Sequence, residues 1–224
     1  KDTDYDTKRW IHQFNIQTKM GRINYNGDFS YQTQERKSQQ YSYDVPARQE
    51  LSRDPDKTFY KSDVFYSRGM FSNFLDSEKI NFQIGYELDR TKGFAGSTTF
   101  ESNNNGKDIE RSIFNYANFL SAEWNATHWL SIRPGVRLAL SDKFDSQYNY
   151  STTLRFKTTE KSDIRLVFGS ANRFPTYDEL YTFVVDNNHD IRGNENLKPE
   201  TGYSTGIFWD YAMTNSNDWK FNFR

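Results

Sequence analysis

A chain of 224 residues is long enough to bury a sizeable core, yet a mean hydropathy of -0.95 and 35% hydrophobic content are low for an ordinary globular interior. A formal charge of -1 gives no broad attraction to nucleic acid, and the lack of cysteine excludes a disulfide framework and a thiolate metal site. Apolar surface comes instead from nineteen Phe, fifteen Tyr and five Trp, residues that favour strands and gather at the water boundaries of membrane barrels.

No run approaches the ~18 apolar residues of a membrane-spanning helix, so only strands could cross a bilayer. In chain order, Lys1 to Lys8 is polar and reads as a loop on the outer side. No basic start precedes an apolar stretch, so the chain reads as a piece of a longer exported protein. The first alternating strand carries His12 between Trp10 and Phe14, and a short turn is expected near Met20 to Arg22. Ile23, Tyr25, Phe29 and Tyr31 then face away from Asn24, Asn26, Asp28 and Ser30, since a period of two puts alternate side chains on one face of a strand.

A long connection is expected from Glu35 to Phe59, followed by a poorly alternating strand from Tyr60 to Phe74 and a short turn at Leu75 to Lys79. Ile80, Phe82, Ile84, Tyr86 and Leu88 alternate with Asn81, Gln83, Gly85 and Glu87, before a second long connection from Asp89 to Glu110. After a turn at Asn125 to His128, Leu130 to Leu140 alternates, with a bulge beside Gly135 expected where Pro134 removes a ladder donor. A brief connection at Ser141 to Gln147 leads into Tyr148 to Phe156, with another short turn at Thr158 to Asp163.

This is an all-β pattern of about ten antiparallel strands, with short turns on one rim and long connections on the other. One face apolar and one bearing Arg, Glu and Asn would suit a soluble sheet or a membrane barrel, but a soluble sandwich has no reason to sort its connections by length. The reading is a transmembrane β-barrel segment.

A third long connection, Asn172 to Leu197, holds the richest local signal, RFPTYDELYTFVVDNNHDIRGNENLKPET from Arg173 to Thr201. Thr176 and Glu179 are spaced as a capping box for one helical turn. Pro175 and Pro199 fix φ at the two feet, Gly193 permits a turn with positive φ, Asn194 or Asn196 can satisfy turn amides, and Arg173 and Glu200 stand where they can pair. Beyond it, Tyr203, Ile207, Trp209 and Tyr211 alternate, a short turn is expected at Met213 to Asp218, and Trp219, Phe221 and Phe223 begin a strand too short to cross.

The segment resembles the TonB-dependent outer-membrane receptors, whose barrels carry a box like FRAP…ELY followed by GNPxLKPET. Arg173, Pro175, Glu179, Leu180 and Tyr181 match the first half, and Gly193, Asn194, Asn196, Leu197, Lys198, Pro199, Glu200 and Thr201 the second. Phe174 stands where the family usually has Ala, and Glu195 where Pro is usual. The resemblance implies a partial receptor barrel over residues 1–224, taken from a 22-stranded wall around a plug that is not in this chain. It further implies a bacterial outer-membrane location, lipid around the wall, and energy from TonB through a part of the protein outside this sequence. The implied ligand is an iron-siderophore or haem, with cobalamin or glycan behind them.

Three histidines, His12, His128 and His189, show no paired metal-ligand spacing, and no resident cofactor is expected. His189 lies between the two boxes, where haem-importing members of the family have a haem-coordinating His, and imidazole is a competent axial ligand. Asp186 and Asp190 beside it could hold a hard cation, although their spacing is not that of an EF-hand. The remaining motif residues are read as shaping the loop. No hydrolase elbow, P-loop or dinucleotide fingerprint is present, so catalysis is not expected, and an omptin-like protease is the weaker alternative. A non-transporting barrel serving as a scaffold or adhesion partner is the competing class, because the fold alone does not decide function.

Overall fold

The structure, a computed structural model, describes residues 2–98, 110–185, 190–211, 213–215 and 219–221. In chain order the elements are β1(Asp2–Met20), β2(Ile23–Asp44), β3(Gln49–Arg53), β4(Lys57–Ser72), β5(Ile80–Thr98), β6(Arg111–Asn125) and β7(Leu130–Ser141). They continue as β8(Gln147–Thr159), β9(Ser162–Arg173), α1(Tyr177–Tyr181), β10(Phe183–Val185), β11(Asp190–Arg192), β12(Glu200–Tyr211), β13(Met213–Asn215) and β14(Trp219–Phe221). The main sheet is an antiparallel meander in the order β1-β2-β4-β5-β6-β7-β8-β9-β12, with β3 folded back on β2. β13 and β14 pair separately, as a two-stranded hairpin.

Register carries the alternation from strand to strand. Tyr25, Phe71, Ile84, Leu120, Val136 and Tyr150 form one cross-strand row, so the apolar positions of six strands lie on one face. That face looks outward: Ile84 is 47% and Val136 58% exposed, and the helix and cavities lie on the other side. On β5 the outward apolar set runs from Ile80 to Leu88, matching the ~9 to 11 residues with which a tilted strand crosses a bilayer. Hydroxyls on this face bond to one another, Tyr25 Oη to Tyr86 Oη at 3.1 Å and Ser67 Oγ to Tyr86 Oη at 3.4 Å, so these polar groups are paired on a largely apolar face.

Several expectations are corrected. The stretch from Glu35 to Phe59 is mostly strand: β2 runs on to Asp44, β3 returns from a turn at Val45 to Arg48, and β4 starts at Lys57. β5 likewise continues to Thr98, while residues 99–109 of that expected loop lie outside the described residues. Asp2 to Lys8 is not a loop either, because β1 pairs with β2 in one unbroken register from Asp2 opposite Tyr41 to Met20 opposite Ile23. The physical reason is common to all three. Where both faces of a strand meet water, backbone pairing persists while the hydrophobic alternation that would reveal it disappears.

No bulge relieves Pro134. The β6–β7 register is unchanged from Ser121 opposite Gly135 to Trp124 opposite Ile132; the rungs between are simply missing, while Pro134 keeps its place opposite Thr152 of β8. Tyr60 to Phe74, despite its poor alternation, supplies most of β4. The short turns near Gly21, before Ile80, before Leu130 and between β8 and β9 are present, and Gly21 takes the positive φ of 62° that its tight turn requires. Met213 to Asn215 is strand, and residues 216–218 of that expected turn lie outside the described residues.

Candidate functional site

The segment between β9 and β12 folds back across the inner face of the sheet. Arg173, at the end of β9, is the register partner of Glu200, at the start of β12, so the two feet of the loop form the first rung of a ladder. Their side chains pair as well: Arg173 Nη2 donates to Glu200 Oε1 at 2.8 Å and Nε to Oε2 at 3.1 Å. The same guanidinium donates through Nη1 to both oxygens of Glu179, at 2.8 and 3.0 Å, so one Arg ties both feet to the helix.

α1 begins with the capping box read from the sequence. Thr176 Oγ1 accepts from the Glu179 amide at 3.3 Å, and Glu179 Oε2 accepts from the Thr176 amide at 2.7 Å. Arg173, with the Thr176 amide and hydroxyl, holds the Glu179 carboxyl down to about 2. Burial pushes the Tyr177 phenol well above its usual range, and that hydroxyl donates to the Gly93 carbonyl of β5 at 2.5 Å. Tyr177 and Leu180 are buried against Ile113 of β6, with Phe144 and Tyr181 packed around them. Pro175 is buried, and Phe174 stacks on Phe144 of the β7–β8 connection at 5.6 Å between ring centroids and 12° between planes.

After the helix, β10 pairs in parallel with Gly96 to Thr98 of β5 and antiparallel with β11, so the chain reaches across from β9 to β5 before returning. Gly193 serves the return differently from expectation. It does not take a positive φ; a Cβ there would stand 2.5 Å from the Leu180 carbonyl oxygen, so it is the close approach of two backbones that requires glycine. Its amide donates to the Thr182 carbonyl at 2.6 Å, and the Asn194 amide to the Glu179 carbonyl at 2.9 Å. Asn194 Oδ1 accepts from the Asn196 amide at 2.9 Å, and the Leu197 amide bonds the Asn194 carbonyl at 3.3 Å. Lys198 is exposed, Pro199 half-buried, and Thr201 stands opposite Asn172 on the next rung.

The two departures from the family pattern both have partners here. Phe174 makes the stack just described, and Glu195 Oε1 accepts from Arg111 Nη2 at 2.9 Å. Arg111 also lies 5.0 Å from the Tyr181 ring centroid, with Lys143 at 5.5 Å from the same ring.

Under the loop are two adjoining cavities of about 260 and 360 Å³ that share Asp89, Asn115 and Phe174. The strands contribute inner-face residues that sequence reasoning did not single out, Glu87 and Asp89 of β5, Asn115 of β6 and Arg137 of β7. Glu87, Asn115 and Arg137 stand between outward-facing apolar neighbours, and Asp89 follows Leu88 where a connection was expected to begin. Arg137 donates to both oxygens of Glu87 at 3.1 Å. His189 and Asp186 lie outside the described residues, and Asp190 accepts from Arg192 Nε at 2.7 Å. Among the described residues no group of three His, Cys, Asp or Glu is placed to hold a metal ion.

A family model described as TonB dependent receptor-like, beta-barrel, matches residues 1–223. The chain belongs to that family. Members of the TonB-dependent receptor family are outer-membrane receptors and transporters rather than enzymes, which sets aside the omptin-like alternative. Solved structures place this receptor barrel in the same fold. The siderophore receptor PirA from Acinetobacter baumannii superposes with a TM-score of 0.70 at 12% identity, covering 93% of this chain and 33% of that one. A variant of the ferric enterobactin receptor PfeA from Pseudomonas aeruginosa gives 0.68 at 12% identity, over 93% of this chain and 33% of its own. The copper transporter OprC gives 0.63 at 13% identity, over 95% and 37%. The chain thus spans about a third of the first structures it matches, and no curated protein matches it.

Proposed function

We propose that this chain is part of the barrel wall of an outer-membrane transporter that captures a scarce ligand, an iron-siderophore or haem, and imports it with energy delivered through TonB. The observation that carries this reading is the loop folded over the inner face. Strands of 19, 22 and 19 residues, β1, β2 and β5, exceed the ~9 to 11 needed to cross a bilayer, so their far ends rise above the outer surface. The β9–β12 loop roofs polar cavities at that height, where a ligand arriving from outside would first meet the wall. The plug and the TonB-contacting segment belong to the rest of the protein in this reading, and lipid surrounds the outward aromatic face.

The test is iron uptake by iron-starved cells of the source bacterium, wild type against a strain deleted for the full-length gene, fed a ferric siderophore or haem as the only iron source. Uptake lost on deletion and on collapse of the proton-motive force supports import; equal uptake in the deletion strain overturns it and favours a scaffold or adhesion role. In the haem arm, His189→Ala in the full-length protein should shift the absorption band of the added haem toward that of free haem if His189 is the axial ligand. An unchanged band removes His189 from that role.

A further inference from the structure

The β9–β12 loop is fastened to more of the sheet than its own two feet. It reaches β4, where Tyr60 Oη donates to Asp178 Oδ1 at 3.4 Å. It meets β5 twice, through the Tyr177 hydroxyl on the Gly93 carbonyl and through the pairing of β10 with Gly96 to Thr98. Tyr177 and Leu180 are buried against Ile113 of β6, and Arg173 holds Glu179 of the helix and Glu200 of β12 on one guanidinium. Lifting the loop would break all of these contacts together.

Two more anchors come from the positions at which this chain departs from the family pattern. Phe174, before α1, stacks on Phe144 of the β7–β8 connection with 5.6 Å between ring centroids. Glu195, after β11, accepts from Arg111 Nη2 at the start of β6 at 2.9 Å, and Arg111 in turn lies 5.0 Å from the ring centroid of Tyr181 in the helix. An Ala at the first position has no ring to stack, and a Pro at the second has no carboxylate to offer. Phe174 is half-buried and Glu195 exposed, and neither belongs to a strand, so each can be replaced without touching the wall.

We propose that the β9–β12 loop of this chain is a fixed strap across the inner face and not a lid, and that Phe174 and Glu195 are the residues that fasten it. The strap holds the ceiling of the two cavities at one height, so a solute reaches them by passing the loop rather than by lifting it. This property goes beyond the transporter reading and does not depend on it.

The test is hydrogen exchange of the purified full-length receptor in detergent, without ligand and at pH 7, followed by mass spectrometry on peptides covering the loop. Wild type is compared with Phe174→Ala, Glu195→Ala and the double variant, each confirmed as folded by its heat-modifiable gel mobility. A helix of five residues does not persist alone in water, so slow exchange in α1 reports its anchors. In wild type the bonded amides of Leu180, Thr182 and Asn194 should exchange at least about 100-fold more slowly than in a free peptide of the same sequence. Phe174→Ala should speed that exchange about tenfold and Glu195→Ala about two- to fivefold, as expected for a ring stack and an exposed ion pair, while residues 80–88 of β5 stay unchanged. A wild-type loop exchanging within about tenfold of the free peptide would be a lid, and overturns the proposal. A slow loop that none of the variants accelerates overturns the assignment of Phe174 and Glu195 as its fasteners.

Discussion

Substituting Arg at two neighbouring positions of β5 separates the outward face from the inner one. Ile84 is the middle of the outward set from Ile80 to Leu88, and its cross-strand neighbours Phe71 and Leu120 are apolar. Eight steps of about 3.3 Å give about 26 Å along the strand, or about 20 Å of depth at the ~40° tilt of such barrels, close to the ~25 Å apolar band. Ile84, four steps from either end, therefore sits near the midplane, where an Arg costs about 2–4 kcal/mol, a factor of about 30 to 1,000 in the folding equilibrium. Gln83 points inward, accepting from Arg133 Nη2 at 2.7 Å and from Ser121 Oγ at 3.4 Å. Gln83→Arg loses that acceptor and sets two guanidiniums side by side, but in water their repulsion is only about 1 kcal/mol. The assay is urea unfolding of the full-length barrel in lipid vesicles, followed by tryptophan fluorescence. Ile84→Arg should lower the unfolding midpoint well below that of Gln83→Arg; equal shifts, or the reverse order, would refute the assignment of faces.

The loop gives three further predictions. Glu179→Gln removes one of the two carboxylates that Arg173 bridges while leaving a side chain that can still complete the capping box, so protease should cut residues 174–199 faster than in wild type; an unchanged rate would mean that the Glu200 pair and the cap suffice. Because Glu179 is held below its usual range, at about 2, its contribution is complete above about 4.5 and lost as pH falls through about 2. The protection of α1 amides against hydrogen exchange should therefore hold down to about pH 4.5 and fall below it, and protection that falls between pH 7 and 5 would contradict the assignment. Gly193→Ala drives a Cβ toward the Leu180 carbonyl oxygen at 2.5 Å, and should destabilise the loop by about 1–3 kcal/mol as overpacking does, read as faster exchange at the Leu180 and Gly193 amides. On intact cells, trypsin should cut first at Arg48, in the turn between β2 and β3, rather than throughout residues 35–59; cleavage at Arg36 or Lys37 would argue against the long β2 ladder.

The parts of this fold legible in the sequence are those where one face of a strand meets an apolar medium. Ile80 to Leu88, Leu130 to Leu140 and Tyr148 to Phe156 announce themselves because an apolar face on one side and a polar one on the other leave a period of two. Gln32 to Asp44 announces nothing, since water lies on both sides there and the ladder with β1 and β4 is held by backbone bonds that any polar side chain permits. The same division applies to the site. The capping box and the Arg173–Glu200 pair were legible because each depends on spacing or on two ends of one hairpin. The counterparts of the loop, Gly93, Asn115 and Phe144, lie 84, 62 and 33 residues or so from Tyr177 along the chain, and register alone brings them beneath it. A polar inner-face residue such as Asn115 looks like every other until the loop is placed over it. Local motifs therefore locate the roof of this site, while the chemistry of its floor is a property of the assembled ladder.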